Sequence, residues 1–326
     1  MTVISPAALA ARLRGEREVL AVAHEAPDGD ALGCVTALAL VCERMGVPCR
    51  AYIPGTGDFP PEYGFLPKLD AVLRGTPPVL GPGATAYMMD CASLVRSSSL
   101  GLDKDVVTVN LDHHQDNPGY GTFDLVDATA ASTTAILYDV FVAGGLPIDS
   151  EIATALYVGL VTDTGRFQYS NTTPAAHRMA AHLQEEGVDV NAVYRRIYEN
   201  MPMTKLLLQQ RALSRLELRL GGALVTAWLN AGDFTAVGAD EGYSEGLVDI
   251  LRQIKGAKVA ALVREQQKDG GVECKVSLRS TDGKVNVAAL AALKGGGGHV
   301  RAAGFTSPAG VPETIEWLEK EIKPLL

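Results

Sequence analysis

Residues 19–45 read VLAVAHEAPDGDALGCVTALALVCERM, and this stretch decides the fold. Its first five residues form a short apolar run, which is typical of a fully buried parallel strand. The apolar stretch from Ala31 to Met45 predicts a helix that ends at Gly46, and a second short strand is predicted at about 49–53. A strand, a helix and a strand at this spacing indicate a βαβ unit, which predicts a parallel sheet covered by helices.

The rest of the chain divides into two patterns. Further buried strands are predicted at about 85–89 and 106–111, and helices at about 131–143, 149–161, 174–186 and 190–213. From about residue 215 the sequence favours hairpins with glycine turns, at about 216–229 and 258–280, and then helices at about 286–293 and 312–322. We therefore predict an α/β fold. It has a mostly parallel sheet domain wrapped by helices (1–188), a helical linker (189–214) and a smaller α+β domain (215–326).

The composition excludes several classes of protein. Hydrophobic residues make up 47% of the 326 residues and charged residues 21%, as in soluble globular proteins. The net charge of −9 argues against a protein that coats long nucleic acid, although it allows a local basic groove. The five cysteines include no CxxC pair, and no stretch approaches the ~20 apolar residues of a membrane span. We therefore expect a cytoplasmic protein with reduced thiols and no membrane partner.

Acidic and histidine side chains occur in four short stretches: residues 24–30, Asp90, residues 112–114 and Asp163. Each stretch has an ordinary explanation when taken alone, such as a turn, a helix cap or a loop acid. Three of the four, however, directly follow predicted parallel strands, whose carboxyl ends meet at the edge of a sheet where ligand crevices form. We therefore expect these side chains to converge, with Asp163 joining them from a helix.

Four converging carboxylates would repel one another, and two divalent ions would offset their charge. These carboxylates are Asp28, Asp30, Asp90 and Asp163. Imidazole and carboxylate donors without thiolate suit Mn²⁺, Co²⁺, Fe²⁺ or Zn²⁺ better than Ca²⁺. Two such ions lower the pKa of a shared water and stabilise charge that develops at phosphorus. The pattern therefore predicts the hydrolysis of a phosphate ester.

Five motifs resemble those of a known family. HEAPDGDALG (24–33), MMD (88–90), LDHH (111–114) and LVTDTGRF (160–167) occur in the order of the four motifs of the DHH phosphoesterase superfamily. GGGGHVRAAGF (295–305) resembles the signature of the DHH-associated C-terminal domain. The resemblance spans nearly the whole chain, and it implies this superfamily's two-domain fold with an active site in the cleft between the domains.

The resemblance also implies a set of metal ligands. His24 and Asp28 would bind one ion, Asp30 and His113 the other, Asp90 would bridge the two, and Asp163 would complete the cluster. Mn²⁺ is the expected ion, with Mg²⁺ and Co²⁺ as alternatives.

Other residues would act on the substrate. His114 would contact the phosphate. The expected catalytic residues are Asp30, His114 and Asp163, and Asp112 would support them by orienting its neighbours. Gly297, Gly298, His299 and Arg301 would bind the substrate phosphate or nucleotide, because glycine backbone and an arginine fork both suit an anion. For Arg166, a phosphate or subunit contact and a structural salt bridge stay open as alternatives.

The resemblance is greatest to a bifunctional branch that degrades very short RNA (nanoRNA) and dephosphorylates phosphoadenosine phosphate (pAp). The expected partners are therefore short RNA or DNA oligonucleotides and pAp, and the resemblance also implies a homodimer. Three alternatives stay open. They are a RecJ-like exonuclease for single-stranded DNA, a phosphodiesterase for linear products of cyclic dinucleotides such as pApA, and a nucleotide sensor without catalysis. An acidic chain of this length disfavours the first, because long single strands need a basic channel.

Overall fold

The computed structural model describes residues 2–93, 106–268 and 271–326. The chain divides into two compact units, Met1–Asn200 and Met201–Leu326, and the division falls within the stretch 189–214. Among the described residues, no helix combines the length and the apolar character that crossing a membrane requires.

A parallel sheet forms the centre of the first unit. Its strands are β1 (Thr2–Val3), β2 (Val19–Val22), β3 (Cys49–Tyr52), β4 (Thr85–Met89), β5 (Val107–Asp112) and β6 (Phe123–Val126). The strand order is β1-β6-β5-β4-β2-β3, and all five pairings are parallel. The predicted parallel sheet is therefore confirmed, and β2, β4 and β5 are its central strands.

Helices of the first unit pack against this sheet and against one another. They are α1 (Pro6–Arg14), α2 (Gly29–Met45), α3 (Thr133–Gly144), α4 (Ser150–Asp163), α5 (Pro174–Glu185) and α6 (Val190–Tyr198). Most of α2 is buried, because its residues are apolar on every side and α4 lies against it. Asp28 caps α2 by accepting hydrogen bonds from the N–H groups of Asp30 and Ala31, both at 3.1 Å.

The prediction of one helix over 190–213 is wrong. The structure has two helices there, α6 and α7 (Met203–Leu213), with Pro202 as the N-cap of the second. Proline has no N–H group to donate, and it disfavours helical backbone in the residue before it, so the helical pattern of the sequence does not continue through Met201-Pro202.

The second unit is a mixed α+β structure. Its strands are β7 (Glu217–Arg219), β8 (Leu224–Leu229), β9 (Val259–Lys268), β10 (Gly271–Ser280), β11 (Gly297–His299) and β12 (Ala302–Ser307), in the order β11-β12-β10-β9-β8-β7. Its helices are α7, α8 (Ala231–Val237), α9 (Leu247–Arg252), α10 (Val287–Ala292) and α11 (Val311–Ile322). The predicted hairpins form as β7–β8 and β9–β10. Strands β8 and β9 are parallel, because α8 and α9 provide the crossover between them.

Candidate metal centre

The carboxyl ends of β2, β4 and β5 bring histidine and aspartate side chains together. His24 follows β2, Asp90 follows β4 and His113 follows β5. Nε2 of His24 lies 3.4 Å from Oδ2 of Asp90, and Nε2 of His113 lies 3.7 Å from Oδ1 of the same carboxylate. Because neighbouring parallel strands end at the same edge of the sheet, His24 and His113 both lie beside Asp90 although they are far from it in sequence.

Asp163 joins this cluster from a helix. It is the last residue of α4, and its Oδ2 lies 3.2 Å from Nε2 of His113. Its backbone carbonyl accepts a hydrogen bond from Nδ2 of Asn171 at 3.1 Å, which fixes the end of the helix. The sequence prediction placed Asp163 in the cluster from the helical layer, and the structure has it there.

Asp30 is fully buried, and the start of α3 holds its carboxylate. Oδ2 accepts the N–H of Thr133 at 2.6 Å, and Oδ1 accepts both the N–H and the hydroxyl of Thr134, at 2.9 and 2.7 Å. Gly159 provides the space, since a Cβ there would lie 2.4 Å from Oγ1 of Thr134 and 2.5 Å from Oδ1 of Asp30. The first turn of α3 therefore fixes Asp30, because its N–H groups have no acceptor within the helix and donate to this carboxylate instead.

Asp90 adopts an unusual backbone conformation. Its φ is +57°, in the left-handed region that aspartate tolerates better than most residues. Its N–H donates to the carbonyl of Leu111 on β5 at 3.0 Å, and its Oδ1 accepts the hydroxyl of Thr133 at 3.1 Å. These contacts fix a residue that is only 2% exposed and lies at the centre of the cluster.

Mutual charge effects shift the protonation of the cluster. Burial opposes a charge on His24, but the hydrogen bond and charge of Asp90 outweigh burial and raise the pKa of His24 to about 9. Burial and the charge of Asp90 raise the pKa of Asp30 to about 7, and burial with the charges of Asp30 and Asp90 raises the pKa of Asp163. Burial would also raise the pKa of Asp90, but the hydrogen bond from His24 and the nearby histidine charges lower it. The raised pKa values of Asp30 and Asp163 show that their negative charges are unfavourable here, and a divalent cation would offset them.

The donor set fits divalent metal ions. Three sets of side chains each bring their donor atoms within 4.8 Å of one another: His24, Asp28 and Asp90; Asp30, His113 and Asp163; and Asp90, His113 and His114. The third set shares Asp90 with the first and His113 with the second, so the three sets form one cluster. Nitrogen and carboxylate oxygen donors without thiolate are the donors that Mn²⁺ and similar ions prefer.

His114 and Asp112 lie beside this cluster and pair with each other. Nδ1 of His114 lies 2.7 Å from Oδ1 of Asp112, and 3.7 Å from Oδ1 of Asp90. Asp112 is fully buried, and its Oδ1 also accepts the N–H of His113 at 2.8 Å. Asp112 is therefore placed to orient the two histidines that follow it.

Arg166 is exposed and has a left-handed backbone, with a φ of +63°. Its guanidinium lies over the ring of Tyr198, 5.0 Å from the ring centre. In the described parts of the chain no carboxylate lies within 4.0 Å of this guanidinium, so the structural salt bridge that the sequence left open has no partner there.

The glycine-rich motif lies in the second unit. A Cβ at Gly296 would lie 2.2 Å from the carbonyl oxygen of Gly304, and one at Gly298 would lie 2.4 Å from that of Ala302. Gly296 and Gly298 are thus required by close packing against β12. At Gly297, by contrast, an added Cβ would have no atom within 4 Å. His299 and Arg301 are exposed.

This fold and this set of donors define a class, the DHH proteins. The chain belongs to the DHH family: residues 18–160 match the family's N-terminal domain, and residues 223–325 match the DHHA1 domain.

Relatives with named activities are similar over most of the chain. The bifunctional oligoribonuclease and PAP phosphatase NrnA of Thermus thermophilus is 35% identical over 293 residues, which are 89% of this chain and 84% of that protein. The protein of the same name from Bacillus subtilis is 25% identical, over 86% of each chain.

Solved structures share the fold. An exopolyphosphatase-related protein from Bacteroides fragilis superposes with a TM-score of 0.88 at 23% identity, covering 97% of this chain and 95% of that one. RecJ of Thermus thermophilus in complex with Mn²⁺ has a TM-score of 0.55 at 15% identity, covering 97% of this chain and 54% of RecJ.

Proposed function

We propose that the chain is a two-metal phosphoesterase that hydrolyses very short oligonucleotides to mononucleotides and dephosphorylates pAp. The observation that carries this proposal is the convergence of His24, Asp90, His113 and Asp163 at one edge of the sheet, with Asp30 fixed beside them. The names of the relatives from Thermus thermophilus and Bacillus subtilis support the choice of substrates.

The residues of the cluster divide into two ligand groups in this proposal. His24 and Asp28 hold one ion, Asp30 and His113 hold the other, Asp90 bridges them, and Asp163 completes the cluster. When bound, the two ions supply the positive charge that activates water and stabilises phosphoryl oxygens. Mn²⁺ is the ion we propose: the donors suit it as they suit Co²⁺, Fe²⁺ or Zn²⁺, and the structure of RecJ from Thermus thermophilus, which shares the fold, is a complex with Mn²⁺.

Other side chains bind the substrate in this proposal. His114 contacts the scissile phosphate, with its ring oriented by Asp112. Arg166 binds a phosphate group, and Arg301 binds the terminal nucleotide; in the described residues no carboxylate lies within 4.0 Å of either guanidinium, and both are exposed. His299 and the backbone of Gly297 and Gly298 bind the terminal nucleotide.

The alternatives have less support. A nucleotide sensor without catalysis would not need a complete set of metal ligands, and all six side chains are present here. A RecJ-like nuclease for long single strands is disfavoured by the net charge of −9. Cleavage of pApA would use the same site and is a further substrate within the proposal. The cytoplasmic location and the homodimer stay predictions of the sequence.

A length series of RNA and DNA oligonucleotides tests the proposal. The purified chain, stripped with EDTA, is incubated with oligonucleotides from two residues upward and with pAp, with and without Mn²⁺. We expect Mn²⁺-dependent release of mononucleotides, fastest from the shortest substrates, and release of phosphate from pAp. A dinucleotide that binds but is not cleaved would instead indicate the sensor, and preference for long DNA would indicate the RecJ-like alternative.

A further inference from the structure

A hydrogen-bond network reaches the cluster through Asp112. Oδ1 of this buried residue accepts from Nδ1 of His114, and Oδ2 accepts from Nδ2 of Asn117 at 2.5 Å. A carboxylate accepts hydrogen bonds and does not donate them, so the hydrogen of the His114 contact lies on Nδ1. The tautomer of His114 therefore depends on how firmly Asp112 is held.

The orientation of the Asn117 amide is fixed by backbone groups. Its Oδ1 accepts the N–H of Gly119 at 2.9 Å, and its Nδ2, whose two hydrogens go to Asp112 and Asn110, lies 3.3 Å from the carbonyl oxygen of Cys91. A backbone N–H only donates and a carbonyl only accepts, so the two ends of this amide cannot be exchanged. The amino group of Asn117 therefore faces Asp112.

A second asparagine supports the first. Asn110 is fully buried on β5, and its amide pairs reciprocally with that of Asn117, with both N–O distances at 3.1 Å. Nδ2 of Asn110 also donates to Oδ1 of Asp124 at 2.8 Å, and Asp124 lies opposite Asn110 on β6. The network thus runs from Asp124 on β6 through Asn110 and the half-buried Asn117 to Asp112, and its side chains hold one another in place through their several hydrogen bonds.

We propose that Asn117 is a positioning residue for the metal centre. Through Asp112 it keeps the hydrogen of the His114 ring on Nδ1. Its contact with the carbonyl of Cys91 places the loop that follows Asp90 beside the loop that follows His113. The effect on turnover rests on the proposed function, whereas the effect on His114 does not.

The test compares three variants of the full chain. Asn117→Ser has a side chain too short to reach Asp112, and Asn110→Ser removes the support of Asn117 while keeping Asn117 itself. The matched control is Thr122→Val, which removes the hydroxyl of the residue before β6, an acceptor for the N–H of Thr108 on β5. Thermal unfolding establishes which variants are folded.

The first readout is nitrogen NMR of the metal-free protein with labelled histidine. The chain has six histidines, and the signals of His114 are assigned by their loss in His114→Gln. We expect the Nδ1–H tautomer in the unsubstituted protein and in Thr122→Val. Asn117→Ser should contain a measurable share of the Nε2–H tautomer, and Asn110→Ser should change in the same direction by less.

The second readout is Mn²⁺-dependent cleavage of a dinucleotide. Asn117→Ser should lower kcat by about 10–100-fold, the usual effect of losing a residue that orients a metal-site group, while Thr122→Val keeps its turnover. A folded Asn117→Ser with the unchanged tautomer would overturn the proposal, even if its turnover falls. If Asn117→Ser does not fold, Asn110→Ser decides the same question. If the unsubstituted protein does not cleave dinucleotides, the proposed function fails, and the tautomer comparison still decides this inference.

Discussion

The hydroxyl of Thr134 donates a hydrogen bond of 2.7 Å to Oδ1 of Asp30, across 104 residues of sequence. Asp30 is fully buried, so this hydroxyl is one of only a few groups that can replace the water the carboxylate has lost. The contact connects the first turn of α3 to the first turn of α2, and thereby fixes a proposed metal ligand.

Thr134→Val should weaken Mn²⁺ binding by about 10–100-fold, because it removes a partner that orients a ligand. Thr134→Ser keeps the hydroxyl and should bind Mn²⁺ nearly as well as the unsubstituted protein. Isothermal titration with Mn²⁺ measures both. Thr154→Val is the control, because it removes an exposed hydrogen bond from the Thr154 hydroxyl to the carbonyl of Ser150 on α4. Equal Mn²⁺ affinity in Thr134→Val and the control would show that the hydroxyl does not position Asp30.

Gly159→Ala should disrupt the same region by crowding. The added Cβ would lie 2.4 Å from Oγ1 of Thr134 and 2.5 Å from Oδ1 of Asp30, so Asp30 must move. We expect lower thermal stability, by about 1–3 kcal/mol as for other overpacked sites, and weaker Mn²⁺ binding. Gly57→Ala adds the same methyl group where no atom lies within 4 Å, and it should change neither property. A Gly159→Ala variant that binds Mn²⁺ normally would contradict the described packing.

Asp163→Asn should reduce turnover of a dinucleotide by more than about 100-fold, beyond the usual effect of losing an orienting partner, because it removes a proposed ligand. Binding of the dinucleotide should be largely retained. Asp139→Asn, an exposed acid on α3, is the control. Cleavage and equilibrium binding are measured on the same samples, and substantial turnover in Asp163→Asn would refute its assignment to the metal centre.

Arg301→Ala should affect nucleotides more than simple esters. A hydrogen bond to a charged group contributes about 1.5–3 kcal/mol, so kcat/KM for a dinucleotide should fall about tenfold or more. A small generic phosphodiester, which has no nucleotide to bind, should be cleaved at a nearly unchanged rate. Lys320→Ala removes an exposed cation from α11 of the same unit and serves as the control. Equal losses on both substrates would mean that Arg301 does not bind the nucleotide.

The metal-free protein should lose stability as the pH rises. The pKa of Asp30 is raised from 3.8 to about 7 on folding, so its contribution is complete below pH 3.8 and is lost as the pH rises through 7. The pKa of His24 is raised from 6.5 to about 9 on folding. Its contribution to the stability of the folded state is therefore also lost as the pH rises, between these two values.

Thermal unfolding between pH 6 and pH 9 checks this dependence, with and without Mn²⁺. The melting temperature of the metal-free protein should fall over this range, and the increase that Mn²⁺ gives should be larger at pH 8 than at pH 6, because protons compete with the ion. Asp30→Asn should show a shallower decline. A melting temperature that rises over this range without metal would contradict the described electrostatics.

The parallel sheet and the clustering of the six proposed ligand side chains could be predicted from sequence for one reason. β2, β4 and β5 are short apolar runs, and a parallel sheet places whatever follows them at one edge. In contrast, β1 and β6 were not predicted, because β1 has only two residues and β6 includes Asp124 within four. Such strands are defined by their neighbours in the sheet and have too few residues for a periodic pattern.

The residues that hold the ligands were not predictable in the same way. The run Ser132-Thr133-Thr134 indicates a helix N-terminus, but nothing in it shows that Asp30 accepts its hydrogen bonds from more than 100 residues away. The glycine run was interpreted as backbone that approaches a ligand. The structure shows that Gly296 and Gly298 are needed for packing against β12, a requirement that only the register of β11 and β12 reveals.

The left-handed backbone at Asp90 limits how this centre can be re-engineered. Aspartate and asparagine tolerate that conformation, whereas longer or branched side chains do so at a steric penalty. An attempt to alter metal selectivity by exchanging a donor residue should therefore begin at His24 or His113, because most replacements at position 90 would lose roughly 1–2 kcal/mol to this backbone conformation alone.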